Sequence, residues 1–155
     1  MDRFNIFAAT FEYDDSDPDG YRAGMNRFGS RIGAERIGGT VYELAAGQSV
    51  CPYHFEYGDE EWLIVLEGRP TVRHPTGEDE LAPGDTVCFP EGPAGAHKVT
   101  NTTGQPVRVL MLSTRRAPAI AVYPDSDKIG VWGGHGKPEG FFRRDSTVDY
   151  YDREG

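Results

Sequence analysis

The chain has 155 residues, with 16 Lys and Arg against 25 Asp and Glu, and a formal net charge of −9. No block of Lys or Arg occurs, so the sequence disfavours nucleic acid and anionic membranes as partners, because both bind clustered cations. Hydrophobic residues make up 37% of the chain, which excludes a disordered polypeptide. The length fits a single domain over residues 1–155, and the 20 Gly and 11 Pro favour short strands and tight turns.

The N-terminus shows no export or membrane signal. Residues 1–11 mix polar and apolar side chains, and no stretch approaches the ~20 apolar residues that span a bilayer. We therefore predict a soluble cytoplasmic protein. Cys51 and Cys88 form no CxxC pair, so we interpret them as small apolar strand residues rather than as zinc ligands or a disulfide.

In chain order, an N-terminal arm (residues 2–13) precedes a charged loop (residues 14–20). Residues 24–39 are rich in glycine and allow no assignment. From residue 40 onward, short runs of β-branched and aromatic residues alternate with Gly and Pro turns, which predicts a β-sandwich or barrel. The predicted strands cover residues 40–44, 50–57, 61–66, 71–74, 86–89, 97–101 and 107–113.

Residues 62–66 (WLIVL) are apolar at every position. A strand with one solvated face would alternate with polar residues, so we expect another segment to cover its outer face. The N-terminal arm, the C-terminal segment and a second subunit are the candidates, and we favour a homodimer. Near the C-terminus, the glycine-rich residues 133–136 include His135 and are typical of a lid or a linker.

Two clusters of residues suggest chemistry. The first combines Gly with three polar residues on two consecutive predicted strands. Within it, His54 and Glu56 point to the same face, because side chains alternate along a strand. The second is a strand, a Pro/Gly loop and a strand that carries one histidine. The clusters are Gly47, His54, Glu56, Glu61 and Gly68, and Gly84, Pro90, Gly92, His97 and Asn101.

These clusters resemble the two motifs of the cupin superfamily. The first family motif is G-x5-H-x-H-x3-4-E-x6-G, and residues 47–68 read GQSVCPYHFEYGDEEWLIVLEG. The second is G-x5-P-x-G-x2-H-x3-N, and residues 84–101 read GDTVCFPEGPAGAHKVTN. His54 comes one residue late, His97 comes two residues late, and Glu56 replaces the second histidine.

The resemblance implies an all-β double-stranded β-helix barrel of the jelly-roll type, often dimeric, with its core at about residues 40–114. It also implies one divalent metal ion held by His54, Glu56, Glu61 and His97. A site with two carboxylates cancels the charge of the ion and favours Mn or Fe, with Ni, Zn or Cu as alternatives. If Glu56 stays off the metal, it is placed to act as a general base.

Other residues receive simpler interpretations. We expect Leu63, Val65, Val99 and Met111 to form an apolar wall. Tyr53, Phe55 and Tyr57 alternate with the predicted ligands and should face away from them. We place His74 at the surface, and Asp59 and Glu60 in solvent.

The function that we favour is a metal-dependent enzyme acting on a small polar molecule by oxygenase, isomerase or lyase chemistry. The alternative is a non-catalytic barrel that binds a small molecule or sugar, with or without metal. A regulatory effector domain is disfavoured because no DNA-binding segment is attached. The fold alone does not choose among these functions.

Overall fold

A computed structural model describes residues 1–134 and 138–155, which form mostly β-strands. The strands are β1 (Gly24–Arg27), β2 (Ile37–Leu44), β3 (Phe55–Tyr57), β4 (Glu61–Glu67), β5 (Thr71–His74), β6 (Gly77–Glu80), β7 (Thr86–Phe89), β8 (Lys98–Thr100), β9 (Val107–Thr114), β10 (Ala119–Tyr123), β11 (Lys128–Trp132) and β12 (Pro138–Arg143). Short 3-10 helices cover Ile6–Ala8, Gly29–Ile32, Pro93–Gly95, Pro124–Ser126 and Arg144–Ser146. None of the helices in the described ranges has the length and hydrophobicity to cross a membrane.

The strands form two layers. One is a five-stranded antiparallel sheet in the order β1-β2-β9-β4-β7. The other consists of a four-stranded sheet, β12-β11-β10-β3, and a three-stranded sheet, β6-β5-β8. Two isolated antiparallel bridges, Ser49 with Thr100 and His54 with His97, join the second layer where these two sheets meet. This seam holds the two predicted histidine ligands.

Alternation along the strands builds the core between the layers. On β4, Leu63 and Val65 are almost completely buried, whereas their neighbours point outward. The predicted apolar wall of Leu63, Val65, Val99 and Met111 is buried in this interior. Truncating a fully buried leucine to alanine typically costs about 2–5 kcal/mol, so these side chains stabilise the barrel strongly.

The outer face of β4 and the N-terminal arm join the same hydrophobic cluster. Ile64 and Leu66 of β4 and apolar side chains of the arm all pack against buried residues around Phe28. The Phe4 ring stacks on Phe28 with a centroid separation of 4.7 Å. The arm, one of the three candidates for this role, thus contributes to covering this face, while Trp62 stays 44% exposed and the second subunit stays a prediction.

The structure corrects several predicted elements. Only Phe55–Tyr57 of the predicted strand at 50–57 is a strand, because residues 50–53 bend and Pro52 has no N–H to donate. Cys51 lies in this bend and is therefore not a strand residue, whereas Cys88 does lie on a strand, exposed on β7. The unassigned segment 24–39 contains β1, a 3-10 helix and the start of β2. Strand β6 was missed because its sequence, Gly-Glu-Asp-Glu, has low β-propensity.

Candidate metal centre

The backbone holds His54 and His97 opposite each other. The His54 N–H donates to the His97 carbonyl oxygen at 3.1 Å, and the His97 N–H donates to the His54 carbonyl oxygen at 2.8 Å. The additional residues before each histidine do not disturb this pairing, because they form the bend at 50–53 and the 3-10 turn Pro93–Gly95. At Gly95 a Cβ would collide with the carbonyl oxygen of Pro90, so the turn requires glycine.

Both imidazoles present the same ring nitrogen to the interior. His54 Nδ1 lies 3.0 Å from the carbonyl oxygen of Pro52, and His97 Nδ1 lies 2.9 Å from that of Gly95. A carbonyl oxygen can only accept, so each ring carries its proton on Nδ1 and has a lone pair on Nε2. Burial, followed by the neighbouring His97, lowers the pKa of His54, which favours the neutral form that binds metals.

Glu61, the first residue of β4, completes a cluster of three donors. Its Oε2 lies 3.4 Å from His97 Nε2 and 3.8 Å from His54 Nε2. The three donor atoms all lie within 4.8 Å of one another. His97 Nε2 is buried without a hydrogen-bond partner among the described residues. A divalent cation fits this donor set, because it would satisfy the buried lone pair and compensate the Glu61 carboxylate.

Glu56 lies next to this cluster and outside it. Its Oε1 is 4.0 Å from His54 Nε2, on the face that the strand alternation predicts. Burial, together with the charges of Glu61 and Asp59, raises the pKa of Glu56 to about 8. The protein thus brings two carboxylates together in a largely buried site. The two roles predicted for Glu56, metal ligand and general base, both stay predictions.

Two aromatic rings orient the histidines. The Phe89 ring stacks on the His97 imidazole with a centroid separation of 3.7 Å and an interplanar angle of 7°. The Tyr123 ring stacks on His54 at 5.8 Å. Sequence reasoning missed both residues. The strand register of β7 against β4 could have identified Phe89, because Phe89 pairs directly with the predicted ligand Glu61. Tyr123 lies in the C-terminal segment, and no motif marks it.

Cys51 lies near the histidine cluster, with its Sγ 3.5 Å from His54 Nδ1. That nitrogen carries the proton donated to Pro52, so it does not accept the thiol proton. Burial, followed by the charges of Glu61 and Glu56, raises the pKa of the thiol. A protonated thiol is a poor nucleophile, and the arrangement provides no Cys–His dyad.

A cavity of about 580 Å³ has Glu56 in its wall, and through Glu56 it is connected to the histidine cluster, whose three members are not part of the lining. Arg115, Arg116 and Trp132 also line it, and sequence reasoning identified none of them. Their positions follow from the β9–β10 connection and the end of β11, which no local motif marks. The cavity volume is typical of a site for a small molecule.

The structure corrects the prediction that Asp59 lies in solvent. Asp59 is 8% exposed, and its Oδ1 accepts hydrogen bonds from Thr114 Oγ1 and the Arg116 N–H, both at 2.9 Å. Its carboxylate therefore serves to hold the connection between β9 and β10. Tyr53 and Phe55 pack in a buried cluster, whereas Tyr57 is 48% exposed.

The other two histidines do not join the cluster. His74 is partly exposed on β5 and lies 3.1 Å from the Asp79 carboxylate. It is therefore a suitable control for experiments on His54 and His97. The predicted lid or linker role concerns His135, which lies outside the described residues.

Comparisons with known proteins identify the barrel. The family model of the cupin domain matches residues 38–113. A cupin-superfamily sugar phosphate isomerase from Silicibacter pomeroyi is 23% identical, with 99% of each chain covered and a TM-score of 0.81. A putative sugar phosphate isomerase from Acidithiobacillus ferrooxidans is also 23% identical, covering 93% of this chain and 91% of that one, with a TM-score of 0.81.

A polyketide cyclase from Streptomyces resistomycificus is more distant, at 18% identity and a TM-score of 0.60, with 97% of this chain and 88% of that chain covered. No curated protein sequence matches this chain significantly. Similarity at these levels of identity shows the fold, which confirms the predicted all-β double-stranded β-helix barrel. The two motifs, the barrel and the family-model match together show that residues 38–113 form a cupin domain.

Proposed function

We propose that the protein is a metal-dependent enzyme that moves a proton on a small polar molecule, in an isomerase or lyase type of reaction. The observation that carries the proposal is the convergence of three buried donor atoms beside a separate carboxylate. His54 Nε2, His97 Nε2 and Glu61 Oε2 form the three-atom cluster, and Glu56 lies 4.0 Å from His54 Nε2. Two of the similar structures, both named as sugar phosphate isomerases, are consistent with this class of reaction.

In this proposal, His54, Glu61 and His97 hold one divalent ion, and a set of two imidazoles and one carboxylate favours Mn or Fe. When bound, the ion supplies Lewis-acid polarisation of a carbonyl or hydroxyl oxygen of the substrate. Three protein ligands leave further coordination positions open, since Mn and Fe accept six ligands. The Nδ1 hydrogen bonds to Pro52 and Gly95 keep both imidazoles aimed at the site.

Glu56 is the proton carrier in this proposal. Glu56 is part of the cavity lining and its Oε1 lies 4.0 Å from His54 Nε2, so in this proposal it contacts a substrate held in the cavity. It takes a proton from a hydroxyl-bearing carbon next to a carbonyl group; the C–H electron pair forms a C=C bond, and the carbonyl π electrons move onto the oxygen to give an enediolate. When the hydroxyl proton passes to that oxygen and Glu56 returns its proton to the former carbonyl carbon, the carbonyl and hydroxyl have exchanged places, which completes an isomerisation. Expulsion of a β-leaving group by the enediolate instead completes an elimination.

The principal alternative is a barrel that binds a small molecule without catalysis. It requires that Glu56 be a fourth ligand or a purely structural carboxylate. An oxygenase is a second alternative at the same donors. The three readings differ in what happens to substrate C–H bonds and to dissolved oxygen, and one experiment separates them.

The experiment incubates metal-loaded protein in D₂O with a panel of small aldoses, ketoses and hydroxy acids. Proton NMR then follows deuterium entry at carbons next to the carbonyl group, and an oxygen electrode follows O₂. The proposal predicts exchange without O₂ uptake, and loss of at least about 100-fold of the exchange rate in Glu56→Gln, the typical contribution of a general base.

Metal content of Glu56→Gln is the matched control, because the variant must keep its ion for the loss to report on proton transfer. O₂ uptake without exchange would move the assignment to an oxygenase. Neither exchange nor O₂ uptake with any compound of the panel would favour the binding protein.

A further inference from the structure

The cavity beside Glu56 contains two arginines in different situations. Arg116 is engaged: its Nη1 lies 3.1 Å from Glu91 Oε1, and its backbone N–H donates to Asp59. Arg115 is held only by its backbone, whose N–H donates to the carbonyl oxygen of Arg36 at 2.9 Å. In the described part of the chain, no carboxylate lies within 4.0 Å of the Arg115 guanidinium.

The other charges of the cavity are accounted for, with one exception. Asp59 is satisfied by Thr114 and by the Arg116 N–H. Glu56 lies against the histidine cluster at the inner end. The exception is Glu35, which is exposed in the cavity lining and forms no ion pair within the described ranges.

Arg115 is distinguished by its place in the cavity lining, where its guanidinium has no carboxylate partner among the described residues although the chain has a net charge of −9. The guanidinium presents several N–H donors in one plane and matches the geometry of a carboxylate or phosphate group. Arg115 and Glu56 line the same cavity, and Glu56 Oε1 lies 4.0 Å from His54 Nε2, so one small molecule can contact Arg115 at one end and Glu56, next to the histidine cluster, at the other.

We infer that this cavity binds a small anionic substrate, with Arg115 as the residue that binds its carboxylate or phosphate group. The polar end of the same molecule lies at Glu56 and the histidine cluster. The inference rests on the proposed function for the identity of that inner end, and it names the substrate class: a hydroxylated carbonyl compound carrying one oxyanion group.

Trp132 supplies the measurement, because it lines the cavity and Trp62 is the only other tryptophan of the chain. In a Trp62→Phe background, Trp132 is the sole indole fluorophore. The titrants are D-ribose 5-phosphate against D-ribose, and D-gluconate against D-glucose. In metal-free protein the anion cannot bind to a metal ion, so its affinity reports on Arg115. Metal-loaded protein reports on the whole site.

The expected result is that at least one anionic member of these pairs binds about tenfold or more tightly than its neutral partner. Arg115→Gln should abolish that preference, whereas Arg116→Gln should change it by about twofold at most, since Arg116 is paired with Glu91. The pair that shows the preference identifies the anion as phosphate or carboxylate.

Glu35→Gln provides a second test that does not depend on the folding of the Arg115 variant. Removing the acidic group from the cavity lining should tighten binding of the preferred anion by about two- to threefold. Unchanged anion preference in folded Arg115→Gln would overturn the inference, and so would equal affinity for both members of each pair.

The metal content of each sample separates this inference from the proposed function. If the protein prefers the anion through Arg115 but does not retain a metal ion when one is supplied, the anion site is supported and the metal centre is contradicted. If the protein retains its metal ion and the Arg115→Gln variant keeps the anion preference of the parent, the anion site is contradicted and the metal centre is supported.

Discussion

The backbones of His54 and His97 exchange two hydrogen bonds across an isolated antiparallel bridge, with N–O distances of 3.1 and 2.8 Å. Each histidine comes from a different motif, and 42 residues separate them along the chain. The bridge brings their ring centroids to 4.8 Å and leaves Glu61 to meet both Nε2 atoms from the opposite layer. The donor cluster is therefore built into the seam of the barrel rather than into flexible loops, which favours a preorganised site.

We predict that Phe89→Leu weakens metal binding about tenfold or more. The Phe89 ring stacks on His97 at 3.7 Å, so its loss frees an imidazole that the bridge alone does not orient. Phe28→Leu is the matched control, because Phe28 is similarly buried but lies in the cluster under the N-terminal arm. Competition with a chelator measures affinity, and equal affinities in the two variants would contradict the orienting role of Phe89.

Asn101 is expected to act on stability and not on the metal. Its fully buried amide donates to the carbonyl oxygens of Leu44 and Gln105, and its Oδ1 accepts from the N–H and hydroxyl of Thr103. Asn101→Ala leaves buried backbone groups without partners and should cost about 2–4 kcal/mol in the free energy of unfolding. Urea denaturation measures that loss. A change below about 0.5 kcal/mol, the size of a neutral surface substitution, would contradict this account of the motif asparagine.

The acid stability of the arm gives a pH prediction. Burial alone would raise the pKa of Glu43, but hydrogen bonds from Tyr13 and Arg108, with the Arg108 charge, hold it below the ordinary value of 4.5. A carboxyl with a lowered pKa in the folded state stabilises the fold above its unfolded pKa and loses that contribution as the pH falls. Glu43→Gln should therefore be less stable than the parent near neutral pH.

The difference between the two proteins should shrink as the pH falls below 4.5, because the parent carboxyl then takes up its proton. Unfolding free energies of both proteins across this range measure it, and the acid response of the remaining carboxylates cancels in the comparison. If the stability difference between the parent and Glu43→Gln grows on acidification, the stabilising role of the Glu43 carboxylate is contradicted.

The homodimer expected from residues 62–66 stays a prediction. Ile64 and Leu66 are partly buried in the cluster that the arm also joins, while Trp62 and Ile37 remain 44% and 53% exposed. Sedimentation equilibrium tests it: a mass of twice 17.1 kDa, reduced in Trp62→Glu, would support association through this remaining patch. A mass of 17.1 kDa at high protein concentration would contradict it.

The sequence was most informative where the spacing of residues along a strand determines which side chains share a face. His54 and Glu56 share a face because strand residues alternate, and the Glu56 Oε1 lies 4.0 Å from His54 Nε2. The barrel was predictable from its turns and motifs. Strand β6 was not, because it pairs β5 through four exposed residues of low β-propensity.

Residues that reach the site through tertiary packing also escaped prediction. Tyr123 and Arg115 come from segments after the second motif, and only the pairing of β10 with β3 and of β9 with β2 and β4 brings them to the site. The arm was one of three candidates for covering β4, and hydropathy alone does not distinguish an intramolecular cover from a second subunit.

Metal analysis of untagged protein, beside the variants His54→Ala, His97→Ala and His74→Ala, tests the metal centre most directly. The account predicts near-stoichiometric divalent metal in the parent and in His74→Ala, whose imidazole pairs with Asp79, and at least about a tenfold loss in the other two. Full metal content in folded His97→Ala, or equal loss in all three variants, would contradict the assignment of His54, Glu61 and His97 as the metal-binding residues.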